Sequence, residues 1–461
     1  MTLIEIFNNI ADAIRYKLNS TDTMNPNSMS DKIRSISSNT IGSGYLLEIK
    51  TYPNSIVTVS KEGNTTKSTT SNDNGIANIY FNDNDDNGIW NINISFNNSS
   101  GQKENYTTTF NYDVYLKTSM VCKYANGIRK YEGSIAYLSV ARSSLAATSV
   151  GNYAIFGGGY DGSYLNAVDT YTTSLSKGNT TDLSVARCYL AATTVGNYAL
   201  FAGGASGTGS NAVHYATVDT YNASLSHSTA TDLSVARSSL AATSVGNYVI
   251  FGGGMNGSSG NISYSTTLDT YNTLLTKSTV ADLNEAKSNL AATTVNTYAL
   301  FGGGNYTIGS NNRYYSGSVD SYNISLIHGS PTNLSMAKYN LSATTVGNYA
   351  LFAGGFDYNN YLSTVDSYNS SLVHGSPTDL SEARMSMSSS SIDNYAIFAG
   401  GVLISISNVI DSYNGSLSKS ADVYLSEKKY NLSATTVGNY ALFGGGLSSK
   451  SSKVVDVYLE D

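Results

Sequence analysis

The sequence contains few charged residues, two cysteines and one tryptophan. Asp, Glu, Lys and Arg make up 13% of the 461 residues, and the net charge is -7. Nucleic-acid binding needs a clustered basic face and is therefore not expected. Cys122 and Cys188 define no disulfide framework. No apolar run is long enough to cross a membrane, and Glu5 and Asp12 stand where a secretory signal would be positively charged. Neither membrane insertion nor signal-dependent export is expected.

One phrase recurs through the rest of the chain: Tyr, a small residue, Ile or Leu, Phe, and then a run of glycines. Its phenylalanines lie 45 to 51 residues apart, at Phe156, Phe201, Phe251, Phe301, Phe352, Phe398 and Phe443. A period of this size indicates a repeat architecture.

Each repeat divides into four short strands separated by turns. An apolar-small strand, a Gly-Asn turn and the Tyr-x-x-Phe strand precede a variable loop, a Val-Asp-x-Tyr strand and a polar fourth stretch. Seven such units predict a mainly β chain with a seven-bladed β-propeller over residues 119–461. The last copy stops after its third strand, and a segment at about 133–140 can supply the fourth. We therefore expect an N-terminal strand to close the propeller.

The doubled glycines, the Val-Asp-x-Tyr strand and the basic residue that opens each unit resemble kelch repeats. The resemblance extends over the whole array, but the kelch tryptophan is missing. In its place stand Lys177, His227, Lys277, His328, His374 and Lys419. The third-strand tyrosines are interpreted as packing residues between blades: Tyr171, Tyr221, Tyr271, Tyr322, Tyr368, Tyr413 and Tyr458. Some kelch-type propellers bind copper, but the His pair and Tyr–Cys crosslink that this requires are not recognisable, so no cofactor is expected.

The basic residues that open the units allow two interpretations. They are Arg142, Arg187, Arg237, Lys287, Lys338, Arg384 and Lys429. They can form a ring of positive charge around one channel mouth, suited to an anionic ligand. Alternatively, they contact Asp182, Asp232, Asp282 or Asp379, or backbone carbonyls. The second interpretation is favoured because a residue present in every repeat is normally architectural.

Two segments precede the array. Residues 1–38 carry an apolar face at helical spacing, for example Ile6, Ile10 and Ile14. The segment resembles a module at the N-termini of phage tail-fibre and baseplate proteins, through residues 10–15, 21–24, 26, 29 and 32–36. The resemblance implies attachment to tail or baseplate proteins. Packing on the next domain, or homo-oligomerisation through these helices, remains open.

Residues 43–118 alternate in hydrophobicity and predict a small antiparallel β-sandwich. This segment is similar to immunoglobulin-like or carboxypeptidase-regulatory-like spacer domains. Asp83, Asp85 and Asn87 mimic the start of a calcium loop, but Ile94 stands where the bidentate Glu is required. A solvated turn is favoured, and no metal is expected.

The variable loops of the repeats are the expected place for ligand binding. They are longest in the second, third and fourth units, and they emerge on the same face as the basic residues. Amphipathic rings among adaptable amides suit polar surfaces such as sugars, although plain solvated loops remain the alternative. The candidate ligand-binding residues are Tyr160, Asp161, Tyr164, His214, Tyr215, Tyr264, Tyr306, Arg313, Tyr314, Tyr315, Phe356, Asp357, Tyr358 and Tyr361.

The resemblances together imply a receptor-binding protein of a phage or phage-tail-like particle. It would be made in the bacterial cytoplasm, reside in the tail, and recognise a host cell-surface glycan. One alternative is a propeller enzyme acting on cell-wall polysaccharide, with Asp161 and Asp357 as paired carboxylates. Another is a structural component that binds a second tail protein. No nucleophile elbow, phosphate loop or metalloprotease motif occurs, so an enzyme is not expected.

Overall fold

The computed structural model describes residues 45–50, 54–61, 66–72, 76–81, 88–97, 103–112, 120–123, 128–131, 133, 135–207, 211–258, 261–308 and 312–460. Among these residues the regular elements are β-strands and there is no α-helix, which confirms the mainly β class. No helix long and apolar enough to cross a membrane is found among these residues. The predicted helical segment, residues 1–38, and the calcium-like turn at 83–87 lie outside the described residues. The chain divides into two compact units at residues 126 and 127.

The first unit contains strands of two sheets. They are β1 (Tyr45–Lys50), β2 (Ile56–Ser60), β3 (Lys67–Thr70), β4 (Ile76–Phe81), β5 (Gly88–Asn97), β6 (Lys103–Tyr112) and β7 (Met120–Lys123). One sheet has the order β4-β1-β7 and the other β3-β2-β5-β6. All pairings are antiparallel except that of β1 with β7, which is parallel. The sheet of β4, β1 and β7 is therefore mixed and not purely antiparallel as predicted. Its strand β7 lies beyond residue 118, the predicted end of this domain.

The core of the first unit follows the predicted alternation. Val57 and Val59 of β2 are fully buried, as are Ile92 and Ile94 of β5, while the residues between them face outward or are half-buried. Phe81 of one sheet meets Trp90 of the other edge to face, with ring centroids 5.0 Å apart. The two sheets therefore share one apolar layer around the single tryptophan.

The second unit is built from seven four-stranded antiparallel sheets within its described residues. Its first strand is β8 (Ile128–Lys130), which belongs to sheet 7. Sheet 1 contains β9 (Ala146–Val150), β10 (Tyr153–Gly157), β11 (Val168–Thr172) and β12 (Lys177–Asn179). Sheet 2 contains β13 (Ala191–Val195), β14 (Tyr198–Ala202), β17 (Val218–Asn222) and β18 (His227–Ala230), with a hairpin of β15 (Ala205–Ser206) and β16 (Val213–His214) in its loop.

Sheets 3 and 4 carry the same kind of hairpin. Sheet 3 contains β19 (Ala241–Val245), β20 (Tyr248–Gly252), β23 (Leu268–Asn272) and β24 (Lys277–Thr279), with a hairpin of β21 (Met255–Ser258) and β22 (Asn261–Tyr264). Sheet 4 contains β25 (Ala291–Val295), β26 (Tyr298–Gly302), β29 (Val319–Asn323) and β30 (His328–Gly329), with a hairpin of β27 (Asn305–Ile308) and β28 (Asn312–Tyr315).

Sheets 5 to 7 have shorter loops. Sheet 5 contains β31 (Ser342–Val346), β32 (Tyr349–Ala353), β33 (Val365–Asn369) and β34 (His374–Gly375). Sheet 6 contains β35 (Ser388–Ile392), β36 (Tyr395–Ala399), β37 (Val409–Asn414) and β38 (Lys419–Tyr424). Sheet 7 contains β39 (Ser433–Val437), β40 (Tyr440–Gly444), β41 (Val455–Glu460) and β8.

The repeated phrase forms the second strand of every sheet. This strand is paired on both sides and its last four residues are buried, which suits its apolar and small side chains. The first strand alternates between buried and half-buried residues, for example in β9. The turn between them begins in the left-handed conformation, usually at a glycine such as Gly151, with Asn296 and Asp393 replacing it in two sheets.

The sheets contact one another in a closed cycle through their first strands. β9 contacts β13, each later first strand contacts the next, and β39 of sheet 7 contacts β9 again. Seven backbone hydrogen bonds of 2.9 to 3.1 Å follow the same cycle, from Tyr189 N–H to Ser144 O around to Ser144 N–H to Asn431 O. Gly444 leaves room for closure, since a Cβ there would lie 2.8 Å from the ring of Phe156.

The strand that completes sheet 7 is β8 rather than the segment at about 133–140. Residues 128–130 pair with β41, which brings the first and last strands of the second unit into one sheet. Within the predicted segment, Leu138 is buried and its N–H donates to the carbonyl of Lys453. Residues 133–140 match Asp182-Leu183-Ser184 because both segments connect one sheet to the next. The strand that completes sheet 7, β8, comes just before this connection.

The third-strand tyrosines lie fully buried between sheets. Tyr221 of sheet 2 packs with Val168 of sheet 1, and its hydroxyl donates to the carbonyl of Thr181 in the segment that connects the two sheets. The other six tyrosines donate to the corresponding carbonyls. Each tyrosine therefore joins its sheet to the connection that enters it.

Candidate functional site

The repeated charged residues form a buried network in all seven sheets. In sheet 2, Nη2 of Arg187 lies 2.6 Å from Oδ2 of Asp219, and both side chains are fully buried. The same carboxylate accepts hydrogen bonds from the N–H of Ser184 and from Nε2 of His227, at 2.9 and 2.7 Å. We call the inner cation, the aspartate and the outer Lys or His a charge triad.

The triad recurs with either lysine or histidine in the outer position. The outer residues are Lys130, Lys177, His227, Lys277, His328, His374 and Lys419. The inner cations are completely buried, so the ring of positive charge at a channel mouth, the less favoured of the two interpretations, is wrong. The architectural interpretation holds with a different carboxylate, because the partner is the third-strand aspartate and not Asp182, Asp232, Asp282 or Asp379. The expected backbone contact is present for the arginines, as in Arg187 to Phe201 O at 3.1 Å.

Burial and ion pairing compete at the aspartates. Burial raises the pKa of Asp366, but the charge of Lys338 and hydrogen bonds from Lys338, Ser335 N–H and His374 outweigh it. The pKa of Asp366 therefore lies below the usual range. The same balance lowers the pKa of Asp169, Asp269 and Asp456.

The glycine run at the end of each second strand lets the backbone pass close to the basic residue of the next repeat before the variable loop begins. Gly158 has φ +71° and lies so close to Arg187 that a Cβ would be 2.7 Å from its carbonyl oxygen. The first loop residue then pairs with the residue after the basic one, as Tyr160 does with Ser143 and Phe356 with Tyr339. The loops therefore begin from a fixed backbone.

The loops of sheets 1 to 5 contact one another in sequence, and we call them the loop wall. Tyr164 OH donates to Gly207 O at 2.7 Å, and His214 Nε2 donates to Gly257 O at 3.0 Å. Tyr264 OH lies 2.9 Å from the Thr307 hydroxyl. The three hairpins in this wall correspond to the three loops that the sequence predicted to be longest.

A cavity of about 450 Å³ opens between the loops of sheets 1 to 3. It is lined mainly by apolar groups and contains three of the predicted residues, Tyr160, Tyr164 and His214. Tyr160 and Tyr164 contact each other with ring centroids 5.1 Å apart. The lining also includes Tyr189, Cys188, Met255, Asn256, Ser258 and Ile262, which the sequence did not single out.

Cys188 is buried and free. Burial raises the pKa of its thiol to about 12, so it contributes a neutral, weakly polar surface to the cavity and no nucleophile.

A second group of aromatic residues lies on the loops of sheets 4 and 5. Tyr306 stacks on Tyr314 at 5.5 Å, and Tyr315 contacts both Tyr339 at 5.3 Å and Tyr358 at 4.7 Å. Phe356 meets Tyr361 at 5.0 Å, and the guanidinium of Arg313 lies 5.7 Å from the centroid of the Tyr339 ring. We call this group the aromatic cluster. The structure thus brings five predicted residues together around Tyr339, which the sequence did not identify, while Tyr306 and Tyr314 form a pair of their own.

The remaining predicted residues form hydrogen bonds within their own loop or with the neighbouring loop. Asp161 accepts the N–H of Ser163, and Asp357 accepts the N–H groups of Asn359 and Asn360, as is typical of turns. Tyr215 OH bonds to the hydroxyl of Ser206 at 2.6 Å. Tyr264 connects the hairpins of sheets 3 and 4. Asp161 and Asp357 therefore have turn-forming partners and belong to two separate parts of the wall.

A shallower opening of about 220 Å³ lies where the seven first strands meet. Every sheet contributes two consecutive residues, of which the second is Leu in six sheets and Met387 in sheet 6. Six sheets present Ser or Asn here, and sheet 2 presents Tyr189, which lines both this opening and the cavity.

Within the described residues, no three His, Cys, Asp or Glu side chains are grouped closely enough to hold a metal ion. Comparison with protein-family models and with curated proteins gave no match to this chain. Assignment of function therefore rests on the sequence and on the geometry of the loop wall.

Proposed function

We propose that this chain is a receptor-binding protein of a phage or phage-tail-like particle, and that its loop wall recognises a bacterial cell-surface glycan. The seven sheets would be the blades of a kelch-like β-propeller closed by β8. The N-terminal tail-protein resemblance supplies the attachment part of this proposal. Its recognition part is carried by one observation, the aromatic loop wall on five adjacent sheets.

Several properties of the wall favour glycan recognition. Its aromatic side chains are partly exposed, with Tyr160 at 37% and Tyr358 at 62%, and they alternate with Asn and Ser. Tyrosine rings present an apolar face to sugar C–H groups and a hydroxyl to their polar groups. The loops contact one another and start from a fixed backbone, so little ordering is required on binding. Several copies on one particle would raise a weak single-site affinity.

The test measures binding of fluorescently labelled full chain to a panel of bacterial cells and its competition by polysaccharide from their envelopes. We expect saturable binding to at least one strain, blocked by its polysaccharide. Tyr160→Ala combined with Tyr358→Ala should weaken binding. Tyr424→Ala is the matched control, because Tyr424 is 51% exposed but lies in β38, outside the wall. Binding to no envelope, or equal loss in the control, would contradict the proposal.

A further inference from the structure

The cavity between the loops of sheets 1 to 3 is open to solvent on one side, and its lining is uncharged. Its volume of about 450 Å³ lies in the range of small-molecule sites. No Lys, Arg, Asp or Glu is found among its lining residues in the described part of the chain. A ligand with a formal charge would find no counter-charge there, so the fitting ligand is neutral.

His214 supplies a polar group without a partner. Its Nε2 donates to the carbonyl of Gly257, which in the neutral imidazole makes Nδ1 an acceptor. This Nδ1 is buried and has no hydrogen-bond partner among the described residues. A buried acceptor without a donor is costly, and a small rotation of the imidazole into the cavity would let an O–H or N–H of a ligand satisfy it.

Tyr189 is the one aromatic residue in a ring of otherwise small polar side chains. All seven residues of the ring have positive φ, and Tyr189 has φ +54°. Bulky residues rarely adopt this conformation, which Ser and Asn fill in the other six sheets. The backbone therefore gives no reason for tyrosine at this position. Its side chain is 50% exposed and lines the cavity, where a flat ring is available for a ligand.

The remaining lining indicates which neutral ligand fits. Tyr160, Tyr164 and Tyr189 offer ring faces, and Met255 and Ile262 offer an apolar surface suited to a methyl group. Asn256 and His214 offer amide and imidazole atoms for polar groups. A sugar ring bearing an acetamido group combines these features in one small molecule: C–H faces, hydroxyls, an amide N–H and a methyl.

We propose that this cavity binds a single neutral N-acetylated pyranose, with Tyr189 as a stacking residue and His214 Nδ1 as an acceptor. The proposal rests on the proposed function and narrows it to one site and one class of sugar. This assignment places the primary sugar site in the cavity and not in the aromatic cluster of sheets 4 and 5, whose residues do not line it.

The experiment uses the full chain with the methyl glycosides of N-acetylglucosamine, N-acetylgalactosamine and glucose. Saturation-transfer NMR identifies which ligand protons touch the protein, and calorimetry gives the affinities. We expect the acetyl methyl to receive the strongest saturation and at least one N-acetylated sugar to bind about ten-fold or more above glucose. Tyr189→Ser and His214→Phe should each lower that affinity about ten-fold or more.

Tyr189→Ser introduces the residue already present at Ser144 and Ser239, so the backbone ring is retained. Asn289→Ser is the matched control, since it changes the same ring position in sheet 4 and should leave the affinity unchanged. Thermal unfolding of each variant shows that it is folded. If Tyr189→Ser binds the sugar as tightly as the original chain, the site is wrong. If glucose binds equally well, the sugar class is wrong.

The two proposals fail in different ways. Envelope binding without binding of N-acetylated sugars overturns the cavity proposal and leaves the proposed function. Sugar binding that Tyr189→Ser removes, with no binding to any envelope, overturns the proposed function and leaves the cavity. Absence of both overturns both.

Discussion

The charge triads and the loop wall occupy neighbouring parts of the same repeats, but the triads are nearly the same in every sheet and the loops differ from sheet to sheet. Each triad has an aspartate and an inner cation that are almost completely buried, and the set is repeated in all seven sheets. The loops that begin a few residues away differ in length, hairpin content and aromatic composition. Chemistry that is constant around the molecule holds it together, and chemistry that varies is available for recognition. We therefore expect substitutions in the triads to change stability and substitutions in the wall to change binding.

The largest effect is expected from removing one triad carboxylate. Asp269→Ala leaves Arg237 and Lys277 without their counter-ion, and the guanidinium of Arg237 is fully buried. Breaking a buried ion pair on one side costs about 3–5 kcal/mol of the free energy of unfolding. Urea unfolding measures the loss. Asp232→Ala is the control, because Asp232 is exposed and its side chain lies outside the triads. Equal losses in the two variants would remove the distinction between framework and surface.

Acid should weaken the framework through protonation of the same carboxylates. The pKa values of Asp169, Asp269, Asp366 and Asp456 are lowered in the folded chain. Their contribution to stability is therefore complete above the unfolded pKa of about 3.9 and is lost as the pH falls through the lowered values. Calorimetry should show a midpoint temperature that falls steadily below about pH 4. A midpoint that stays constant down to about pH 2 would contradict this, because the carboxylates would then be protonated without loss of stability.

Closure of the cycle of sheets can be tested at Gly444. A side chain there meets the ring of Phe156, which joins sheet 7 to sheet 1. Gly444→Val should cost about 1–3 kcal/mol, the usual effect of overpacking. Gly444→Ala is the control and should cost less, because Ala202, Ala353 and Ala399 occupy the same position in sheets 2, 5 and 6. Unfolding experiments that rank alanine with valine would indicate that sheet 7 packs differently from the others.

A smaller effect on stability is expected in the wall. Tyr358→Ala removes an exposed ring that contacts Tyr315, and aromatic pairs contribute about 0.5–1.5 kcal/mol. The free energy of unfolding should therefore fall by about 1 kcal/mol or less. Should this variant instead lose as much stability as Asp269→Ala, the wall would be part of the framework.

The sequence predicted the strands because the repeats show their alternation and turn chemistry directly. It did not identify the carboxylate partner of Arg187, because Asp182 is nearer along the chain and Asp219 is brought close only by strand pairing. Tyr189 and Tyr339 were missed because they follow the basic residues and lie outside the variable loops. A position-by-position comparison of the repeats would have revealed Tyr189, since Ser and Asn fill the equivalent positions, but not Tyr339, because Tyr430 occupies the same position in sheet 7. The short strand β8 has no such signal, because its pairing depends on where the end of the chain arrives.

The smallest effect is expected where the triads themselves vary. His328 lies 2.9 Å from Asp320 and stacks on Tyr322 with ring centroids 4.9 Å apart, whereas sheets 1, 3 and 6 have lysine in this position. His328→Lys keeps a hydrogen-bond donor beside the carboxylate and loses the ring contact. Because the outer position is partly exposed in both cases, the free energy of unfolding should change by about 0.5 kcal/mol or less. His328→Leu is the comparison, since it removes hydrogen bonding to Asp320 and should cost more. If lysine proved as damaging as leucine, the ring contact with the third-strand tyrosine, and not the hydrogen bond to the aspartate, would be what sheets 2, 4 and 5 require of histidine.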